Sequence, residues 1–173
     1  IRVFVNGIES SSGPQVGAGT FAIDAVGNSN GTYSDLDCAY LRVFDTDETA
    51  NIDTYLADGY KLSGTGYGFW PMTDDAASTV VTATTGTNGT SANNTDTMQT
   101  DAGPGDVATA FNFNGSTDTI DIGETTDSSP ITISLWFKPD SVSDNYIVGR
   151  TATGRYIKIE DSTTIRVGAS AGT

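Results

Sequence analysis

The side chains available for chemistry are mostly carboxylates, amides and hydroxyls, since the chain contains 22 Asp and Glu residues, a single Cys and no His. The absence of His removes Ser-His-Asp triads and His-ligated metal centres together. Cys38 has no partner for an internal disulfide, and it shares a two-residue period with Leu36 and Tyr40 in a predicted strand. We therefore expect a buried, unreactive thiol, and oxygen ligands for any bound metal.

The charge of the chain is strongly acidic, with 8 Lys and Arg residues against 22 Asp and Glu residues and a formal net charge of −14. Such a surface repels phosphate backbones and anionic lipids, so we expect neither nucleic-acid binding nor membrane insertion. No apolar run is long enough to span a bilayer. The excess of acid favours either solubility in salt or affinity for a divalent cation such as calcium.

Alternation of apolar and polar residues predicts strands along most of the chain, and abundant Thr, Ser, Gly, Asn and Asp supply turns. The clearest stretch is 108–139, which has a period of two with breaks at 114–115 and 128–130. Leu36–Phe44 is apolar on both faces, which predicts a position inside a sheet. The Asn-Gly pair at 6–7 predicts a hairpin turn. The fold class predicted is all-β.

One short helix is predicted, over residues 46–57. Asp45 and Glu48 stand at the spacing of a capping box before it, and Gly59 supplies the stop. The segment 80–103 is rich in Thr, Asn and Gly and poor in large apolar residues. We expect surface loops there, with at most one edge strand.

Several segments resemble strands of the laminin-G-like, concanavalin A-like jelly-roll family. Gly68–Met72 resembles its opening strand, 110–122 its Phe-x-Gly-Ser strand pair, and Ile131–Pro139 the strand that carries Trp and ends in Lys-Pro. Ile1–Gly7 resembles its Val-Asn-Gly strand, and Leu36–Leu56 its closing strand with a short helix. The resemblance implies an antiparallel jelly-roll β-sandwich with one short helix.

The order of these segments is the reverse of the order in the family. Residues 1–61 resemble the C-terminal half of one jelly roll, and residues 62–173 resemble the N-terminal half of another. Three explanations compete: a portion cut from a tandem array, a circular permutation, or half-domains of neighbouring copies that complete each other. The first predicts a chain that is part of a longer protein. In the second, the two halves of the chain pack together as one sandwich, and in the third, each half completes a half-domain of a neighbouring copy.

The resemblance also implies a calcium site, because it would bring three polar positions together. These are Asp74 or Asp75 after the opening strand, Asn114 in the Asn-Gly turn, and Asp35 or Asp37 at the start of the closing strand. Oxygen atoms of this kind are the ligands that calcium prefers. Such an ion would fix loops and would not react, and no other cofactor is required. The alternative is that these are ordinary solvated turn residues.

Carbohydrate binding would need aromatic side chains exposed on a sheet face or at a loop rim. The candidate ligand-binding residues are Tyr67, Trp70, Tyr146 and Tyr156. The alternative is that such rings fill the space between the two sheets of a sandwich. We expect this interior position for Trp136 and Phe137.

No pair of carboxylates has the arrangement that glycoside hydrolysis needs, and the Glu-x-Asp-x-x-Glu pattern of jelly-roll glycosidases is absent. We therefore predict a non-catalytic structural or adhesive module of an extracellular fibre, an appendage or a virion surface, such as a phage fibre or decoration protein. Its partners would be copies of itself, other subunits of the particle, and cell-surface glycans. The alternative is a calcium-dependent carbohydrate-binding module, and a glycosidase remnant is a third possibility.

Overall fold

The computed structural model describes residues 4–5, 8–9, 23–29, 31–46, 49–51, 68–101, 103, 109–123, 132–141, 145–150 and 155–169. Strands dominate these residues, and we number them in chain order. They are β1 Phe4–Val5, β2 Ile8–Glu9, β3 Ala25–Val26, β4 Asn28–Ser29, β5 Thr32–Tyr33, β6 Asp35–Phe44, β7 Gly68–Trp70, β8 Val80–Val81, β9 Gly89–Ser91, β10 Gln99–Thr100, β11 Ala110–Asn114, β12 Ile120–Asp121, β13 Thr132–Pro139, β14 Asn145–Gly149, β15 Arg155–Asp161 and β16 Thr164–Ala169.

All strand pairs within the described residues are antiparallel, and they form two large sheets and two small hairpins. A five-stranded sheet has the order β10-β11-β6-β13, with β7 also paired to β6. A seven-stranded sheet has the order β16-β15-β14-β3-β12-β9-β8, and β1-β2 and β4-β5 are the hairpins. Side chains of both large sheets pack into one core. The predicted all-β antiparallel sandwich is confirmed.

The core is built from buried apolar side chains that come from both sheets and from the loops beside them. They are Ile23, Val26, Leu36, Cys38, Leu41, Val43, Trp70, Met72, Val81, Met98, Phe111, Phe113, Ile120, Ile122, Ile147, Val148 and Ile159. Phe137 packs against this core, as predicted. Trp136 precedes it in the strand and therefore points to the other face, where it is only half-buried, so its predicted core position is wrong.

Strand β6 is central to the five-stranded sheet, as its apolar character on both faces predicted. One edge pairs with β13 along nearly the whole strand. The other edge is shared, because β11 pairs with Asp35–Cys38 and β7 pairs with Leu41–Val43. The longest described strand is therefore hydrogen-bonded on both edges, and its neighbours all come from residues 68–139.

A β-bulge in β6 sets which of its side chains face the core. Two consecutive residues of β13 lie opposite Tyr40 and Cys38, which leaves Ala39 as an extra residue. The bulge shifts the alternation by one residue. Leu41 can therefore face the same core as Cys38, although the two are an odd number of residues apart.

Two short hairpins have an Asn-Gly pair between their strands in the sequence. Val5 lies opposite Ile8 in β1-β2, so the pair at 6–7 is the connection, as predicted. Ser29 lies opposite Thr32 in β4-β5, with the second pair between them. Short-range turn chemistry therefore fixes both hairpins.

The segment 80–103 is more structured than predicted, because it contains β8, β9, β10 and a four-residue α-helix, α1 (Thr95–Met98). The buried Thr95 hydroxyl donates to the Ala76 carbonyl oxygen at 3.1 Å, and the Ala76 N–H donates back to the same hydroxyl at 3.2 Å. Met98 inserts into the core. These tertiary contacts determine α1, since its sequence has no helical period.

The helix predicted over 46–57 falls mostly outside the described residues. Within that range Thr49–Asn51 forms a single 3-10 turn. No helix in the described part of the chain is long and apolar enough to cross a membrane.

Two glycines with almost the same backbone conformation provide a matched test of core packing. Gly27 has φ +75° and Gly31 has φ +76°. A Cβ added at Gly27 would overlap the ring of Phe113, whereas one added at Gly31 would meet nothing within 4 Å. The strain of a positive φ is therefore common to both sites, and only Gly27 also carries a steric conflict.

We predict that Gly27→Ala lowers the free energy of unfolding by about 1–3 kcal/mol more than Gly31→Ala, because an added methyl must displace a core ring. Guanidinium denaturation monitored by fluorescence measures both variants. Equal losses would contradict the packing of Phe113 on Gly27.

Candidate binding surface on the seven-stranded sheet

Strands β14, β15 and β16 form one end of the seven-stranded sheet and place a row of polar side chains on its outer face. Lys158 lies opposite Tyr146 on one side and opposite Arg166 on the other. Ile157 and Ile159 alternate with Lys158 along β15 and pack on the core. Lys158 and its two cross-strand partners therefore share the face turned away from the core.

Two of the predicted glycan-binding residues meet on this face. The rings of Tyr146 and Tyr156 lie edge to face, with centroids 5.1 Å apart and an interplanar angle of 79°. Tyr156 is buried and Tyr146 is half-buried. Gly168 lies opposite Tyr156, and a Cβ there would be only 2.9 Å from the tyrosine hydroxyl oxygen. The glycine therefore makes room for the buried ring.

Three charged side chains continue the row. Glu160 Oε1 lies 2.9 Å from Arg166 Nη1 and 3.9 Å from Lys158 Nζ, so one carboxylate contacts both cations. Lys158 Nζ also lies 5.4 Å from the ring centroid of Tyr146 and 5.9 Å from that of Tyr156. We call these five residues, Tyr146, Tyr156, Lys158, Glu160 and Arg166, the tyrosine–arginine surface.

The tyrosine–arginine surface brings two like charges together. Lys158 and Arg166 stand directly opposite each other on neighbouring strands, an arrangement that is destabilising for like charges. Glu160 offsets part of the repulsion. Among the described residues, the row thus holds two cations that share one carboxylate.

The turn between β15 and β16 holds this part of the sheet in register. The Thr163 N–H donates to Asp161 Oδ1 at 2.8 Å, and the Thr163 hydroxyl donates to the same oxygen at 2.9 Å. These hydrogen bonds, the backbone one first, lower the pKa of the Asp161 carboxyl. The charged form is thus favoured in the folded state, so the turn loses support as pH falls below the ordinary value of 3.8.

The other predicted glycan-binding residues do not join this surface. Trp70 is 1% exposed and its Nε1 donates to the Thr87 carbonyl oxygen at 3.0 Å. A Cβ at Gly68 would overlap the indole, so that glycine provides the space for it. Trp70 is therefore a core residue with a satisfied polar atom. Tyr67 lies outside the described residues.

Asp74 holds a loop together. Its carboxylate accepts from the Thr82 N–H at 2.9 Å and from the Thr82 hydroxyl at 2.5 Å. The Gln99 side-chain amide donates to the Asp74 carbonyl oxygen at 3.3 Å, which ties the same loop to β10. Asp75, the next residue, is exposed.

Asn114 organises the turn after β11. Its Oδ1 accepts from the N–H groups of Ser116 and Thr117, each at 2.9 Å. Its own N–H donates to Asp118 Oδ2 at 3.1 Å. Gly115 has φ +71°, which the turn requires. The backbone N–H and the side-chain oxygen of Asn114 are thus both hydrogen-bonded within the turn.

Asp37 is buried on the outer face of the five-stranded sheet. Lys138 Nζ lies 3.2 Å from its Oδ2, and Asn112 Nδ2 donates to its Oδ1 at 3.0 Å. The same amide nitrogen lies 3.2 Å from Asp140 Oδ2. Asp37 therefore sits in a network that joins β6, β11 and β13.

The sheet order sets Asp74 apart from two of the other predicted calcium ligands. Asp37 and Asn114 lie on the neighbouring strands β6 and β11. Asp74 is tied to β10, which pairs with the other edge of β11. Asn114 is at the end of β11, beside Asp35. Among the described residues no group of three or more Asp, Glu, Cys or His side chains is placed to hold a metal ion. The calcium site stays a prediction.

Comparison of the chain with family models, with curated proteins and with solved structures finds no match. Candidate functional residues are therefore assigned from geometry alone. Sequence reasoning missed Lys158, Glu160 and Arg166, although a signal for two of them was present. Tyr156, Lys158 and Glu160 follow one another at a period of two, which places all three on one face of a strand.

Cys38 is buried in the core, as predicted. Burial is the main reason that its pKa rises from 9.0 to about 12; a hydrogen bond with the Tyr40 backbone partly offsets the rise, and the negative charge of Asp37 adds a smaller increase. The folded state therefore favours the neutral thiol. The associated stability is fully present below pH 9 and is lost as pH rises towards 12.

We predict that Cys38 in the folded protein resists iodoacetamide at pH 8 and reacts only when the protein unfolds, because the thiolate is the reactive species. Mass spectrometry of samples quenched over time measures the modification. The matched control is Ser162→Cys in a Cys38→Ala background, which puts a thiol at an exposed turn position. Equal modification rates for the two thiols in folded protein would contradict the burial of Cys38.

Proposed function

We propose that this chain is a non-catalytic structural or adhesive module of jelly-roll type, from an extracellular fibre, an appendage or a virion surface. The observation behind the proposal is that β6 and the strands paired with it come from different parts of the chain. This strand comes from residues 35–44, and its neighbours β7, β11 and β13 all come from residues 68–139. Strand β3 has a similar position in the other sheet, between β14 and β12.

The jelly-roll assignment is supported by the segments that resemble that family. The five segments contain β1, β6, β7, β11, β12 and β13, and four of these strands, β6, β7, β11 and β13, form one sheet together with β10. An antiparallel sandwich is the architecture that the laminin-G-like family would give. The two resembling halves, 1–61 and 62–173, contribute strands to both large sheets.

A module built in this way is suited to repeated assembly. The contacts of β6 with β11 and β13 depend on main-chain pairing and on the side chains of a single strand. Residues 35–44 of a neighbouring copy would offer the same strand, and each copy could complete the next. Exchange that does not close on itself produces a fibre.

The use made of polar side chains also supports a structural role. Asp74, Asn114 and Asp37 are three of the four residues predicted for metal binding, with Asp75 the fourth, and each of these three is bonded within the fold. Asp118 similarly accepts from the N–H of Asn114. Turns and sheet edges are thus held by the Asp, Asn and Thr residues in which this chain is rich.

We predict that the exchange of β6 between copies can be captured with cysteines at positions that face each other across β6 and β13. Asp37 lies opposite Lys138, so Asp37→Cys/Lys138→Cys in a Cys38→Ala background links the strands on oxidation. At high protein concentration and in salt that screens the net charge of −14, we expect a ladder of linked chains on a non-reducing gel.

The matched control for that experiment is Lys158→Cys/Arg166→Cys in the same background, because these positions face each other within the single hairpin β15-β16. It should link only within one chain at every concentration. If the 37/138 variant also links only within one chain, and the untreated protein sediments as a monomer at all salt concentrations, the assembly proposal fails.

Recognition of a glycan is the second candidate function, and we propose that this recognition depends on calcium. It is favoured by the tyrosine–arginine surface, where Tyr146 and Tyr156 meet on an outer sheet face. Aromatic rings beside charged side chains are able to stack on a sugar and to hydrogen-bond its hydroxyls.

We predict that the protein retains specific glycans on an array and that Tyr146→Ala removes the signal. Repeating the array in a chelator tests the calcium dependence, because removal of the ion would loosen the loops that it fixes. Binding that survives chelation restricts the proposal to calcium-independent recognition. An array without any retained glycan rejects this second function.

A further inference from the structure

Strand β13 is an outermost strand of the five-stranded sheet. It pairs with β6 along one edge, and no strand in the described part of the chain pairs with its other edge over Ile133–Phe137. The N–H and C=O groups on the outer edge of such a strand point away from the sheet and can pair with a further strand. The outer edge of β13 is therefore a template for an additional strand.

The sequence of β13 lacks the features that usually protect an outermost strand from pairing, which are charged side chains, Pro or a very short length. The strand has eight residues, and Ile133–Phe137 contains neither a charged residue nor Pro. The other outermost strands differ from it. Strands β8 and β10 are two residues long, and β16 carries Arg166, whose side chain is 53% exposed.

The side chains of β13 are incompletely covered on both faces. Ile133 and Leu135 pack against the core but are only half-buried, whereas Val43 and Leu41, their partners in β6, are fully buried. On the outer face Trp136 is half-buried as well. A further strand beside β13 would remove apolar surface from water on both faces of the sheet, which favours the pairing.

We propose that the outer edge of β13 pairs with the same edge of a second copy of the chain, so that two five-stranded sheets join into one. The inference rests on the assembly of copies in the proposed function and adds a contact that does not require exchange of β6. A two-fold axis at Leu135 places this residue opposite Leu135 of the second copy and Ile133 opposite Phe137 of the second copy. The core-facing side chains of both copies then share one face of the joined sheet.

A second copy is the occupant that the charge of the chain favours. Each copy carries −14, so two copies repel each other unless the contact is free of acidic residues, as Ile133–Phe137 is. Lys138, which follows this segment, is 55% exposed. The two-fold axis brings Lys138 opposite Thr132 of the second copy, at the end of β6 where the exposed Asp45 follows Phe44. The edge is therefore complementary to itself in charge as well as in shape.

Sedimentation velocity of the full chain at increasing protein and salt concentration tests the pairing. We expect monomers in dilute, low-salt samples and dimers as both concentrations rise, because salt screens the charge of −14 on each copy. Amides of Ile133–Phe137 should exchange with solvent more slowly in the dimer than in the monomer. Amides of β16, the other long outermost strand, should exchange at the same rate in both.

A cysteine at the two-fold position tests the register of the pairing. Leu135→Cys in a Cys38→Ala background places two thiols directly opposite each other, and we expect a linked dimer on oxidation. The matched control is Ile133→Cys in the same background, which also replaces a half-buried aliphatic side chain on the same face. Its thiol would lie about 14 Å along the strands from its copy, so it should stay unlinked.

An added charge tests whether β13 is the edge that dimerises. We expect Trp136→Glu to raise the dissociation constant of the dimer about tenfold, because it places like charges near the two-fold axis. The control is Val80→Glu, which adds the same charge to the outermost strand β8 of the other sheet, at an apolar side chain that is 47% exposed. It should leave the dissociation constant unchanged.

Three results would overturn the inference. A chain that stays monomeric at every protein and salt concentration has no such edge contact. Equal linking through Leu135→Cys and Ile133→Cys would reject the two-fold register, and a dimer that Trp136→Glu does not weaken is formed by another surface. Exchange of β6 fails separately: dimers through Leu135→Cys without a ladder from the 37/138 variant would support the edge contact alone, and a ladder without those dimers would support the exchange alone.

Discussion

The fold depends on burying both faces of β6 while its main chain is paired along both edges. A buried strand must have its N–H and C=O groups bonded, and β13 on one edge with β11 and β7 on the other provides this. Apolar side chains of β6 fill the core, while its other face holds Asp37 and Arg42. Asp37 is paired with Lys138, and the Arg42 guanidinium carbon lies 4.2 Å from the ring centroid of Phe69. Each buried charge thus has a specific neighbour.

The same constraint explains which parts of the fold could be predicted from sequence. Strands such as β11 and β13 follow from local alternation, and the turn of β1-β2 follows from its Asn-Gly pair. The bulge at Ala39 could not be predicted, since an extra residue is visible only against the register of the partner strand. The helix at Thr95 depends on hydrogen bonds to Ala76, a contact between residues far apart in sequence.

The candidate site was partly predictable for a related reason. Tyr146 and Tyr156 were chosen by residue type, and the pairing of β14 with β15 brings their rings together. Residue type could not separate them from Trp70, which has the same aromatic character but fills the space above Gly68 in the core. The partnership with Arg166 depends on the register of a second hairpin, which the sequence did not determine.

The most direct test of this account is amide hydrogen exchange of the native protein. If β6 is the element on which both sheets depend, the amides of Leu36–Val43 exchange only when the whole sandwich unfolds, with the same free energy as the most protected amides of β14 and β15. Exchange of β6 through a smaller opening, while β14 and β15 stay protected, would contradict its central role.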